Sequence, residues 1–131
     1  MAPAAKAVLL DTSVLINLLH ERKEHMQLIR DLVLRGFILT TSSINIAELY
    51  AGMRAGEEKE TANLLAAFRH LPLTPAIGRK AGEMTAARRR IGRTHALDDM
   101  MIAATVIEYG YTLVTGNCKD FEIPGIDVLS V

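Results

Sequence analysis

Tryptophan is absent from the chain, aromatic residues make up only 5% of it, and cysteine occurs once, as Cys118. A lone thiol forms no internal disulfide and no cysteine-based zinc site, which suits a reducing cytoplasm. An excess of either charge is also missing: Lys plus Arg and Asp plus Glu number 15 each. Without an overall basic field, any site for a polyanion must be local. The four histidines, His20, His25, His70 and His95, are scattered and show no HExxH-type ligand spacing, so they point to no zinc centre. No stretch is long and apolar enough to cross a membrane. Met1–Lys6 is small and proline-containing, as a flexible start is. It does not lead into a signal peptide, because Asp11 at once breaks the apolar run behind it.

What is present is a chain of 131 residues, 50% hydrophobic with mean hydropathy +0.19, enough for one domain over residues 7–131 with a substantial core. The rest is organised around Ala7-Val8-Leu9-Leu10-Asp11-Thr12-Ser13-Val14-Leu15-Ile16. Four apolar residues are too few for a helix but suffice for a strand buried on both faces, as in a parallel sheet. Asp11 then stands at its carboxyl end, with Thr12 or Ser13 placed to cap a helix burying Val14, Leu15, Leu18 and Leu19. In open α/β sheets that junction is where ligands collect.

Further along, a helix is expected over 25–35, ended by Gly36, and a strand over 37–41, followed by a helix that starts at Ser42-Ser43 and runs to Met53. The spacing of Leu64, Leu65 and Phe68 predicts a helix over 57–70, and Leu71-Pro72-Leu73 reads as an edge strand. Thr74-Pro75 opens a long helix to about Arg93, and Leu97–Tyr109 is a nearly apolar helix closed by Gly110. Strands over 111–115 and 126–131 complete the pattern. Strands separated by helices require crossover connections, hence an α/β fold with a parallel sheet covered by helices on both faces.

Such a topology puts the strands' carboxyl ends on one edge, where Asp11, Glu48, Asp99 and Asp120 can converge. Each has a plainer reading: Asp11 and Asp120 as turn residues, Glu48 as a rim residue paired with Arg54, Asp99 as a first-turn acid favoured by the helix dipole. Together they form a hard-oxygen set, which holds Mg²⁺ or Mn²⁺ rather than zinc and serves phosphate chemistry. Asp98 and Asp99 diverge by about 100 degrees on their helix, so one alone heads the inward stripe. That one is Asp99, which recurs with Ile102, Ala103 and Val106; Asp98 recurs with Met101, Thr105 and Glu108, the more polar stripe. Arg79, Lys80, Arg88, Arg89, Arg90 and Arg93 gather on the long helix, either as a solvated face or, for Arg88, Arg89, Arg90 and Arg93, as contacts to the phosphates of a polyanion.

The runs VLLDTSVLI, SSINIAEL, DDMMIAAT and LVTGNCKDF, in this order across residues 7–131, resemble the PIN-domain family, and in length most of all the VapC toxins of toxin–antitoxin pairs. The resemblance implies a single PIN-like domain with a five-stranded parallel sheet and Mg²⁺- or Mn²⁺-dependent endoribonuclease activity. It also implies a homodimer and inhibition by a small antitoxin. It maps the family's acidic set onto Asp11, Glu48, Asp99 and Asp120, with Thr115 and Asn117 as polar support, Thr12 or Ser13 lining the site and Asp98 beside the third acid. A groove between the first two helices, lined by Leu15, Leu19, Met26 and Ile29, is expected to take the antitoxin's amphipathic segment. Two alternatives stay open: a haloacid-dehalogenase-type phosphohydrolase, which would need a second acid where Ser13 stands, and a non-catalytic binding module whose acids are helix caps.

Overall fold

Five short runs pair in parallel: β1 (Ala7–Leu10), β2 (Ile38–Ser42), β3 (Arg69–Leu71), β4 (Thr112–Thr115) and β5 (Asp127–Ser130), in the order β3-β2-β1-β4-β5. Six helices join them: α1 (Thr12–Leu19), α2 (Lys23–Leu34), α3 (Ser43–Ala51), α4 (Glu58–Ala66), α5 (Pro75–Arg90) and α6 (Leu97–Tyr109). The computed structural model describes residues 6–131, so the flexible start expected for Met1–Lys6 lies, except for Lys6, outside the described residues.

Strand alternation divides the core into two layers. Leu9 and Leu113 face Ile77, Ala81, Met100 and Ala103 of α5 and α6, while Val8, Leu10 and Val114 face Val14, Leu15, Leu32 and Leu65 of α1, α2 and α4. α3 feeds both layers, Ile44 into the first and Leu49 into the second. Full burial of each such side chain contributes about 1.5–3 kcal/mol. From β1 the chain steps outward to β2 and β3, then returns through α5 and α6 to β4 on the other side of β1. The strand order therefore reverses between β1 and β4, and a crevice opens at their carboxyl ends.

Four expectations are corrected. The helix expected over 57–70 stops at Ala66, and the edge strand is Arg69–Leu71 rather than 71–73. The His70 ring caps the helix by donating to the Leu65 carbonyl at 2.7 Å, and the chain then pairs with Thr40–Ser42, before Pro72 removes the next N–H. α5 ends at Arg90 rather than Arg93: Gly92, at φ 74°, donates to Arg89 O and Arg93 to Arg88 O, a Schellman closure that turns Arg93 off the helix axis. At the start of α1 the N-cap is Asp11 itself and not Thr12 or Ser13, and its carboxylate makes no cap bond because other partners hold it.

The apolar groove beside α2 also has different walls. Leu15 is fully buried and Leu19 lines a separate small recess with Ile16 and Leu49, whereas Met26, Ile29 and Val33 face Leu18, Leu64 and Phe68 across a cavity of about 410 Å³. Met26 and Val33 remain 39% and 54% exposed, although they lie on an otherwise inward face.

Candidate active site

The Asp11 main chain still belongs to the sheet, donating to Val114 O at 2.9 Å, while its carbonyl accepts the N–H groups of Val14 and Leu15 in α1. This double duty points the side chain into the crevice. There Oδ2 accepts Thr115 Oγ1 at 2.7 Å and Oδ1 accepts Asn45 Nδ2 at 3.1 Å. Asn45 is a site residue that the motifs quoted above contain but do not single out. Its signal was a polar amide on the first turn of an inward-facing helix, three residues before Glu48. Fully buried, it receives Ser42 Oγ on its own oxygen at 2.6 Å and donates to both Asp11 and Thr12. Thr12 Oγ1 then donates to Glu48 Oε1 at 2.7 Å. A chain of hydrogen bonds thus runs Ser42, Asn45, Thr12, Glu48, with Asp11 attached at its middle.

Other predicted residues serve through the loop after β4. Ser13 Oγ accepts Gly116 N–H at 3.1 Å, and Thr115 Oγ1 accepts Asn117 N–H at 3.0 Å. Asn117 is therefore held by its main chain, while its residue is exposed. Phe121, buried in the α5–α6 layer, anchors the 3₁₀ turn Cys118–Phe121 that carries Asp120.

The stripe argument for the paired acids needs revision. Met100, Ile102, Ala103, Ala104, Thr105 and Val106 are all buried, because α6 lies between the sheet, α3 and α5. Thr105 of the Asp98 stripe is thus covered as well, leaving Glu108 exposed at its far end, and Asp98 and Asp99 are both half-buried. Asp98 is a neighbour of Glu48 and raises its pKa, while Asp99 feels the charges of Asp98, Asp120 and Asp11. Both acids therefore belong to the cluster.

The electrostatics follow from burial without compensation. Desolvation, then Asp98, pushes Glu48 up to about 7. Desolvation, then the charges of Asp98, Asp120 and Asp11, pushes Asp99 up to about 6. Asp11 is raised too, chiefly by burial, against the lowering effect of its bonds from Thr115, the Thr12 N–H and Asn45. The ion pairs among the described residues, His20–Glu57, Arg79–Glu83 and Lys80–Glu108, include none of these acids. Carboxylates gathered on one edge with no cation to balance them are a donor set suited to a hard divalent ion. They converge without closing into a cage: among the described residues no three His, Cys, Asp or Glu side chains already form a one-ion site.

The basic residues separate into three groups. Arg88 is tied down, its Nε donating to His95 Nε2 at 3.3 Å and its Nη2 to Glu122 O at 3.1 Å. Arg89 and Arg90 are exposed on α5, and Arg93, beyond the helix, lines a cavity next to Asp99 and Asp120. Lys119, on the same turn as Asp120, lines it as well.

Residues 8–122 match the PIN domain family. Ribonuclease VapC10 of Mycobacterium tuberculosis is 41% identical over 83 residues, 63% of this chain, and the match spans 62% of that relative's length. Among solved structures, VapBC2 from Rickettsia felis bound to a promoter DNA fragment superposes with TM-score 0.84 at 22% identity, covering 95% of this chain and 98% of that one. A DNA-bound VapBC from Salmonella typhimurium gives TM-score 0.81 at 26% identity over 95% and 98% of the two chains.

Proposed function

The chain belongs to the PIN-domain family, and on that premise we propose that it is a metal-dependent endoribonuclease, the toxin of a toxin–antitoxin pair acting in the cytoplasm. The observation that carries the reading is the uncompensated set Asp11, Glu48, Asp98, Asp99 and Asp120 at the switch point of the sheet. Asp11, Glu48, Asp99 and Asp120 would hold Mg²⁺ or Mn²⁺, which supplies neutralisation of phosphoryl charge and a more acidic bound water. Among the described residues no helix is long and apolar enough to cross a membrane.

The protein's own part is positioning. Thr115 and Asn45 fix both oxygens of Asp11, and Thr12 orients Glu48, so the acids meet a substrate already aligned. Burial and the neighbouring Asp98 raise the pKa of Glu48 in the unliganded protein, and a bound divalent cation would supply the charge that keeps it ionised. The haloacid-dehalogenase alternative has no place in a PIN domain, and Ser13, where that chemistry needs an acid, is engaged by Gly116. The reading of the acids as mere caps is not favoured either: only Asp11 occupies a cap position, and its side chain does not cap.

The same reading gives the α2 groove its occupant. Met26, Ile29, Val33, Leu64 and Phe68 form an apolar trough that suits the apolar face of an antitoxin helix, and a second copy of the chain completes the assembly as a homodimer. Cleavage of single-stranded RNA by purified protein, abolished by chelation and restored by Mn²⁺, tests the catalytic proposal. Cleavage that continues unchanged in chelator would refute the metal mechanism.

A further inference from the structure

Beside the acids a cavity of about 420 Å³ opens between the end of α5, the 91–96 connection and the turn bearing Asp120. Asp99 and Asp120 are at one side of it, and Arg88, Arg93, His95 and Lys119 supply the basic part of its wall. Its size falls in the range of small-ligand clefts, about 300–1,000 Å³. No Phe or Tyr lines it, and the one ring in its wall, His95, is engaged by Arg88.

We propose that this cavity is a backbone subsite, in which Arg93 and Lys119 hold RNA phosphates adjacent to the one being cut; the proposal rests on the ribonuclease reading above. Three observations favour these two residues over the rest of the basic cluster. Arg88 spends Nε and Nη2 on the wall itself, bonding His95 and the Glu122 carbonyl, and so positions the cavity rather than filling it. Arg89 and Arg90 stay on the helix and do not line the cavity, whereas the Schellman closure at Gly92 brings Arg93 to it. Arg93 and Lys119 are exposed, enter no ion pair among the described residues, and stand near carboxylates with which they do not pair.

Cations beside an acidic cluster, unpaired with it, suit a polyanion that runs from one to the other. Lys119 and Asp120 are adjacent on one short turn, which sets the register between the acids and the neighbouring phosphate. A second cavity of similar volume, also lined by Lys119 and Asp120, lies along the same turn, so a single strand has room on both sides of the acids. Phosphate contacts position RNA without reading its sequence.

The test is the salt dependence of binding of a labelled single-stranded RNA decamer, measured by anisotropy in EDTA. Replacing both residues, Arg93→Gln with Lys119→Gln, should lower the slope of log K against log salt by about 0.7–1.4, the loss of one or two neutralised phosphates. The drop should be the same for decamers of different sequence. The slope should be regained in Arg93→Lys with native Lys119 and left alone by Arg89→Gln with Arg90→Gln. Thermal melts of each variant establish that it is folded. Wild-type protein that binds RNA with a slope unmoved by the Arg93 and Lys119 changes, or moved equally by those at Arg89 and Arg90, overturns the subsite and leaves the ribonuclease reading standing. Wild-type protein that binds no RNA at low salt, whether in EDTA or with Mn²⁺, overturns both.

Discussion

Replacing Asp98 by Asn should make the unliganded protein more stable at neutral pH and flatten its pH dependence. Glu48 is raised from 4.5 to about 7, by desolvation first and by Asp98 second. A raised carboxyl pKa means that the folded state favours the neutral form. No penalty exists below about pH 4.5, where the group is protonated folded or unfolded; the penalty grows as pH rises and is complete above about 7. The full shift would be worth about 3 kcal/mol at about 1.4 kcal/mol per unit. Glu48 is only half-buried, and solvent screening reduces this to about 1–2 kcal/mol, of which Asp98 carries a part, so about 0.5–1 kcal/mol should be recovered in the variant. Urea denaturation in EDTA at pH 5 and pH 7.5 measures it: wild type loses stability between the two, and Asp98→Asn loses less. Identical pH differences in wild type and variant would show that the two carboxyl groups do not interact, and the picture of Asp98 as a member of the cluster would fail.

At saturating Mn²⁺, Asp99→Asn should lower RNA cleavage by at least about 100-fold with an unchanged far-UV spectrum, whereas Asp98→Asn, acting through Glu48, should cost about 10-fold or less; an inactive Asp98 variant beside an active Asp99 variant would reverse their roles. Thr115→Val keeps the shape but removes the 2.7 Å bond to Asp11, so it should destabilise the fold by about 1–3 kcal/mol and weaken Mn²⁺ binding at least about 10-fold, read by denaturation and by titration calorimetry. Ile29→Glu with Met26→Glu should abolish co-purification of the antitoxin while leaving RNA cleavage by the isolated toxin intact; retained antitoxin would remove the α2 groove from the interface.

Much of this fold is legible because local and tertiary signals agree. Val8 to Leu10 is apolar without a break and is a central strand, and α6 ends at Gly110, at φ 70°, where a left-handed terminus was expected. Disagreement begins where a long-range partner decides. Phe68 continues a helical spacing with Leu64 and Leu65, but no local residue announces that the chain will turn at Ala67 and add an edge strand to β2. At the site, the spacing argument sets Asp98 on the more polar stripe of α6 and Asp99 on the stripe facing the sheet, yet both acids are half-buried. The placing of α3 and α5 around α6 covers Thr105 on the more polar stripe, and one-dimensional periodicity holds no record of it. Asn45 is a similar case, since its role depends on β1 arriving beside α3, 34 residues away in sequence.

Asp11 shows why the site costs the fold something. It stands at the N-cap of α1, where a side-chain cap bond typically contributes about 1 kcal/mol, and it forgoes that bond. Its oxygens instead take Thr115 from β4 and Asn45 from α3, two elements that meet only because the strand order reverses at β1. Those bonds hold the carboxylate in a buried position that still raises its pKa, so the arrangement is not the most stable use of an aspartate there. It does suit a carboxylate whose compensating charge comes from outside the chain. A stability-optimised version of this protein would turn Asp11 back onto the first turn of α1, and in doing so would empty the crevice of its central acid.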